Sequence, residues 1–531
     1  MSGEQPKSGR PKDSGGKPSR ARTSRSQSLP PAPADVTLDY AACRDELRGM
    51  DPGEVVLSIE ATHAWQQVMV PILDDIERRR RAPLPGETKR RGRPSQWTAH
   101  DFERMELLRR VIKKQSTYET RDWLTSDKGA KTRRRFALTW DRPHWGGKTR
   151  GELSAAVPSD SLMSDYRTRW FPEEQRAEAY RALERWMLLE KLAASPWGEA
   201  ELDVLYADGS KLETHYTPPV YNKNGDLVNE FRTCRKTGAL INNVTAPEAG
   251  YLPNTGKNQD HSGRGWNIVF VTTAKGTVLM RRIVPLNASE KTTLTAMVEE
   301  LGEVLDNFTR RLRILSTDGG FHSHPLREKL HAIGVVENIH ISSHGTHESA
   351  TTSAESRQSR RYSIDGTDTW FADGHRALHC KCGKGTVVRR LSVGANGKAK
   401  VAMQGECDHG CGSVRIQAGR WRRAKLGGKA EGYVRAMPGE QDLADWSFGN
   451  PLTYNDPVGR RYGRPRFPGQ EGAFGSQFTQ RFELLKGKRW FRRQSQVELE
   501  TSMVICITHA LSLERYRRMD SGASPPLAQA A

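Results

Sequence analysis

Between residues 202 and 341 the spacing of apolar residues changes repeatedly, and the resulting order of elements restricts the fold more than any single motif does. Leu202, Val204 and Tyr206 alternate up to Asp208-Gly209, which predicts a strand ending there. Asn267 to Thr273 and Thr277 to Val284 are apolar runs joined by Ala274-Lys275-Gly276, a hairpin signal. A helix is predicted from Asn287 to Phe308, with Leu294, Met297, Val298, Leu301, Val304 and Leu305 on one face. A strand from Leu312 to Thr317 ends at Asp318-Gly319-Gly320; a helix from Pro325 to Ile333 and a strand from Val335 to Ile341 follow. Strand, hairpin, helix, strand, helix, strand describes an α/β sheet in which an antiparallel ribbon is extended by alternating elements.

Two aspartates, Asp208 and Asp318, each close a predicted strand and are each followed by glycine. Side chains at neighbouring strand ends converge, and a hard cation such as Mg²⁺ takes carboxylate oxygens while keeping waters for a substrate. Two such ions about 4 Å apart activate an attacking oxygen and stabilise a leaving one in phosphodiester chemistry. A lone strand-end Asp-Gly is an ordinary turn. It is the pair that points to chemistry.

The chain around this segment is basic: Lys and Arg total 83 against 63 Asp and Glu in 531 residues, a net charge of +20. Such a balance calls for a polyanionic partner, nucleic acid before anionic membrane. No stretch approaches the roughly 18 consecutive apolar residues of a membrane span. The polar, basic N-terminus also lacks the apolar core of a signal peptide, so neither a membrane protein nor a Sec-secreted one is expected.

Residues 1–35, rich in Ser, Gly, Pro, Lys and Arg, read as a disordered basic tail, and 516–531 as a second disordered tail. Residues 36–196 read as a helical DNA-binding region. Arg91 and Arg93 flank a glycine in the shape of a minor-groove arm, or of an ordinary basic linker. Thr98 reads as an N-cap with Asp101 three residues on, and a second helix begins at Ser116. Two short helices followed by Lys131, Arg133, Arg134 and Arg135 fit a helix-turn-helix-like unit around 98–135, with a plain helical bundle as the equal alternative. A longer helix follows Pro172.

Farther on, Glu471-Gly472-Ala473-Phe474-Gly475 precedes the basic Lys486, Lys488 and Arg489 and an apolar helix from Val497 to Leu513. Together with Ala207-Asp208-Gly209, Gly265 to Val269, Val284 to Ser289 and Thr317 to Gly320, in that order, these pieces make the chain resemble bacterial DDE-type insertion-sequence transposases over roughly residues 200–515. The resemblance implies an RNase H-like mixed sheet flanked by helices, in which Asp208, Asp318 and Glu471 bind two Mg²⁺. It implies cleavage at transposon ends and strand transfer into target DNA, with double-stranded DNA as partner, at least a homodimer on it, and a cytoplasmic, nucleoid-associated location. Lys486, Lys488 and Arg489 would contact DNA. The family's lysine after the Glu is not matched: Phe478 stands at the seven-residue offset, with Arg481, Lys486 or Lys488 as substitutes. Arg464 or Arg466 stands for the arginine before it, and Glu483 is the rival third carboxylate.

About 150 residues separate Asp318 from Glu471, too many for one loop. A mainly β subdomain is therefore expected at 342–462, splitting the catalytic domain into 197–341 and 463–515. It contains Cys380-Lys381-Cys382 and Cys407-Asp408-His409-Gly410-Cys411 on either side of a strand-like stretch, Thr386 to Val401. Four thiolates so placed can surround one tetrahedral Zn²⁺, with His379 and His409 as replacement ligands and free thiols as the alternative. Seven cysteines are too few for a disulfide framework in a chain this long. A zinc-containing DNA-binding protein without catalysis is the competing function. Convergence of the three carboxylates separates the two.

Overall fold

The computed structural model describes residues 26–27, 30, 50–82, 97–114, 116–137, 157–252, 263–309, 311–318, 321, 323–339, 361–363, 370–373, 378–382, 384–393, 399–417, 421–426, 430–435, 452–453, 461–463, 484 and 489–520. Within the segment expected to be a disordered tail, Ser26–Gln27 is a short strand, β1.

Capping chemistry sets the helix starts of the N-terminal region. Asp51 accepts from the Gly53 N–H at α1 (Pro52–Glu60), and Thr62 accepts from the Trp65 N–H at α2 (His63–Arg81). Thr98 and Asp101 form a reciprocal capping box at α3 (Ala99–Val111), and Ser116 with Glu119 forms another at α4 (Thr117–Thr125). The short α5 (Ala130–Arg135) and α6 (Asp160–Asp165) precede α7 (Glu173–Ala193), the helix after Pro172.

The chain then passes through β2 (Val204–Glu213), the ribbon of β3 (Phe231–Thr233) and β4 (Leu240–Asn242), β5 (Gly250–Leu252), and the hairpin of β6 (Gly263–Thr273) and β7 (Val278–Pro285). Helix α8 (Glu290–Leu305), β8 (Arg313–Thr317), helix α9 (His324–Ala332) and β9 (Val335–Ile339) follow. The predicted succession is observed. Across the sheet the order is β7–β6–β2–β8–β9, with β6 antiparallel to β2 and β7, and β8 parallel to β2 and β9. One correction concerns β2: it does not end at Gly209 but runs on to Glu213, paired with β6 as far as Glu213↔Gly265. Gly209 is there for a close approach, described below, and not for a turn.

Every described element between β9 and residue 451 is a strand: β10 (Arg361–Ser363), β11 (Trp370–Asp373), β12 (Leu378–Cys380), β13 (Thr386–Val393), β14 (Ala399–Cys407), β15 (Gly412–Gln417), β16 (Trp421–Leu426) and β17 (Ala430–Arg435). β13, β14 and β15 form an antiparallel sheet, to which β1 adds an edge. The chain rejoins the main sheet at β18 (Leu452–Thr453), parallel to β9 and ahead of the expected boundary at 463.

Last comes α10 (Gln494–Asp520), which joins the two halves of the molecule. One apolar core runs from Val56, Trp65 and Phe102 through Tyr180 and Met187 to Met503 and Ile507, and on to Trp266 and Ile268 of the sheet. Each such fully buried large side chain contributes about 1.5–3 kcal/mol. A second core lies between the opposite sheet face and α8 and α9, with Leu205, Val269, Leu294, Leu301 and Leu326. Helices therefore cover both faces, and the N-terminal helices share their core with the sheet. No helix among the described residues is long and apolar enough to cross a membrane.

Buried ions tie α3 to α7 and α10. Glu500 accepts from Arg109, and from Arg110 Nη1 at 2.8 Å. Glu103 takes the Arg176 guanidinium at 2.9 Å and the hydroxyls of Tyr166 at 3.1 Å and Tyr180 at 3.0 Å. Burial works against ionisation of Glu106, yet Arg167, Arg176 and Arg109 hold its carboxyl well below the usual range.

Candidate active site and metal centre

The parallel β2–β8 register runs Val204↔Ile314, Leu205↔Leu315, Tyr206↔Ser316 and stops. Asp208 and Asp318 each lie two residues past the last pair, so they sit at equal steps on adjacent strands, about 4.8 Å apart in the pairing direction. Beneath them Leu205, Ala207 and Leu315 are fully buried, which fixes the register. Because β8 ends at Thr317 while β2 continues to Glu213, β2 has an edge free of β8 from Asp208 onward. Both aspartates are half-buried at that notch. The Gly209 N–H donates to Asp208 Oδ1 at 2.9 Å and pins its carboxylate.

A third carboxylate approaches from the α8 side, and sequence reasoning missed it. Glu290 is the first residue of α8, behind the N-cap Ser289. Its Oε1 accepts from Asn267 Nδ2 at 2.8 Å and lies so close to β2 that a Cβ on Gly209 would stand 2.1 Å from it. Burial first, and then the charges of Asp208 and Asp318, raise the Glu290 carboxyl above its ordinary value; the Asn267 hydrogen bond and Lys211 oppose the shift. Ser289-Glu290 carries a sequence signal, a cap followed by an acid in the first turn, but that pattern reads as helix-dipole chemistry. Only the glycine at 209 betrays what faces it.

The remaining candidates divide. Glu471, with Arg91, Arg93, Lys486 and Lys488, lies outside the described residues. Lys131 and Arg134 are exposed on α5. Arg133 is buried, its guanidinium donating to the carbonyls of Leu124 and of Ser126, the latter at 2.8 Å. Arg135 pairs with Glu54 at 3.1 Å and Asp51 at 3.4 Å. Arg489 is buried against the end of β2: its N–H donates to Glu213 O, and its own carbonyl accepts from His215 N, both at 2.9 Å. Beside it Trp490, 61% exposed, stacks on His215 at 4.3 Å, and Arg492 lies 5.1 Å over the Tyr216 ring.

The cysteines converge. Cys380 closes β12, Cys407 closes β14, and Gly410 and Gly412, both at positive φ, bring Cys411 back across the turn. The Cys380, Cys382, Cys407 and Cys411 sulfurs lie within 4.8 Å of one another, with Cys382 3.4 Å from Cys380 and 3.3 Å from Cys407. A zinc–sulfur bond of about 2.3 Å in a tetrahedron gives sulfur separations of roughly 3.8 Å. This Cys₄ cluster can hold zinc. The Gly385 N–H donates to Cys380 Sγ at 2.9 Å, a backbone bond that favours thiolate. The Lys384 backbone N–H favours the thiolate of Cys382 too, but the Cys407 and Cys380 thiols beside it prevail and that thiol is pushed up to about 12.

No family model matches the chain, and no curated protein does. Among solved structures it is similar to a piggyBac transposase in a synaptic complex with hairpin DNA, at 12% identity and a TM-score of 0.36, over 90% of this chain and 77% of that one. At that score the likeness carries no weight, and the functional reading rests on the residues of the chain itself.

Proposed function

We propose that this protein is a DNA transposase of the DDE kind, a metal-dependent polynucleotidyl transferase that cleaves at the ends of an element and joins the freed strand to target DNA. The observation that supports it is the placing of Asp208 and Asp318 at equal steps on parallel central strands of a sheet ordered β7–β6–β2–β8–β9. We take that order, three antiparallel strands and two parallel ones with the first strand central, as an RNase H-like catalytic domain.

The residues fit a hard divalent cation: two half-buried carboxylates share a notch with a third beside them, and the Asn267 Oδ1 in their company is buried with no hydrogen-bond partner. Magnesium bound there would supply a Lewis acid for the phosphodiester and a nucleophilic oxygen at neutral pH. Asp208, oriented by the Gly209 N–H, and Asp318 would hold the ions where the β2–β8 pairing stops. Glu471, named by the resemblance, completes the set from the segment ahead of α10. Lys131 and Arg134 bind DNA phosphates, joined by Arg91, Arg93, Lys486 and Lys488. Two element ends held at once call for a dimer or larger assembly on DNA, in the bacterial nucleoid. Zn²⁺ at the Cys₄ cluster would be structural, held by Cys380 and Cys382 at the end of β12 and by Cys407 and Cys411 at the β14–β15 turn.

Full-length protein incubated with Mg²⁺ and duplexes carrying the DNA that flanks its gene nicks them to leave a 3′-OH, and Asp318→Asn does not. Equal nicking by both proteins sinks the catalytic reading. The Cys₄ cluster favours one second reading, a zinc-containing DNA-binding protein; its mark is stoichiometric zinc and duplex binding with no Mg²⁺-dependent nicking by the wild type.

A further inference from the structure

We propose that Glu290 is a further metal-ligating carboxylate of the Asp208–Asp318 site, delivered through the gap that Gly209 leaves in β2. The inference rests on the metal-dependent reading of that site and adds a ligand to it.

The geometry begins with side-chain alternation. Leu205 and Ala207 of β2 belong to the core under α8, whereas Val204 and Tyr206 face the other way, toward Ile314 and Tyr462. Position 209 therefore faces α8, and a side chain there would cover the backbone beside Asp208. Glycine leaves the space open. The Glu290 carboxylate fills it, its Oε1 at the place where a Cβ would stand 2.1 Å away. Glu290 and the amide of Asn267, which is directly opposite Lys211 in the β2–β6 register, thus meet the notch from the α8 face, where the charges of Asp208 and Asp318 reach Glu290.

Two observations separate this from a chance gathering of acids. The Glu290 carboxylate, packed over Gly209 next to Asp208, meets the charges of Asp208 and Asp318. Independently, the Asn267 amide is spent on Glu290 through Nδ2, while its Oδ1 is buried and has no hydrogen-bond partner; the residue is 3% exposed. A buried carbonyl oxygen left without a donor is unfavourable, and a cation or a water on that cation would satisfy it. Among the described residues the four cysteines are the one group of three or more whose ligand atoms all lie within 4.8 Å of one another, so Asp208, Asp318 and Glu290 do not all crowd on one point. That spacing suits two ions: with ions about 4 Å apart and Mg–O bonds of about 2.1 Å, ligands on opposite flanks lie roughly 8 Å apart.

The test uses Mn²⁺, which takes the same oxygen donors as Mg²⁺, titrated into full-length, zinc-loaded protein with free ion read by electron paramagnetic resonance. Glu290→Gln keeps the size of the side chain and can keep its bond to Asn267, and Gly209→Ala displaces the carboxylate without altering any acid. Each is expected to weaken Mn²⁺ binding about tenfold or more, as is Asp318→Asn, with helix content by circular dichroism unchanged. If Asp318→Asn weakens binding while Glu290→Gln and Gly209→Ala bind as the wild type does, Glu290 is no ligand and the proposed function stands. If the wild type and Asp318→Asn bind Mn²⁺ equally, or the wild type binds none, the metal site and this inference fall together. A loss of melting temperature in Glu290→Gln at wild-type Mn²⁺ affinity assigns Glu290 a structural role and also overturns it.

Discussion

Two carboxylates of this molecule, Glu500 and the half-buried Glu290, keep opposite company. Where α3 meets α10, Glu500 is enclosed by Arg109 and Arg110, and although burial opposes ionisation those guanidinium groups hold its carboxyl low. At the notch of β2, Glu290 meets Asp208 and Asp318, and burial together with those like charges pushes its carboxyl up. The first arrangement is complete in itself and its work is to hold helices together. The second would be completed by a cation in the function proposed above. In that reading the charged company of Glu500 and of Glu290 separates the structural carboxylate from the metal-binding one.

Four experiments would break or sharpen that contrast. The largest effect is expected at the notch: Asp318→Asn lowers Mg²⁺-dependent nicking about a thousandfold, roughly 4 kcal/mol of barrier, while urea denaturation midpoints stay within error. The opposite signature belongs to the helical junction. Glu500→Ala removes the carboxylate that Arg109 and Arg110 share and destabilises the fold by about 3–5 kcal/mol, with Mn²⁺ affinity of the folded protein unchanged. A shift of Mn²⁺ affinity in Glu500→Ala would erase the distinction between the regions.

Acid stability gives a third test, the second on α10. His509 is fully buried, neither ring nitrogen has a hydrogen-bond partner among the described residues, and burial, reinforced by Lys191, drives its pKa well below 6.5. The folded state thus prefers the neutral ring. Its contribution is intact above pH 6.5 and is lost as pH falls below it, because the unfolded chain then takes up the proton first. Stability should fall between pH 7 and 5.5 by at most about 1.4 kcal/mol per unit from this group, and His509→Phe should flatten that slope in urea titrations. The smallest effect is at Glu103: Tyr180→Phe removes one of its donors and leaves Tyr166 and Arg176, for about 0.5–1.5 kcal/mol by urea denaturation.

Much of the local structure is legible in the chain. Thr98 with Asp101 and Ser116 announce their helices because a cap is chemistry between residues three apart. The hairpin around Ala274-Lys275-Gly276 and the alternation of α8, β8, α9 and β9 follow from apolar spacing. The cysteine pairs are readable since each spans a single turn, and the structure brings all four together. Reading Gly209 as a strand end failed because glycine marks turns and close approaches alike. Arg133, Arg135 and Arg489 look like a phosphate-binding surface in sequence, yet Arg133 and Arg489 serve backbone carbonyls and Arg135 pairs with acids.

What the sequence determined by itself is the order of elements, their caps, and the presence of two Asp-Gly steps and four clustered cysteines; each depends on neighbours within a few positions. Only the tertiary structure decided that Asp208 and Asp318 stand at the same step of adjacent parallel strands, that the Glu290 carboxylate lies over Gly209, and that α3 is locked to α10 through Glu500. Those facts depend on registers between segments tens to hundreds of residues apart. Such registers are set by the simultaneous burial of both sheet faces, which no local pattern encodes.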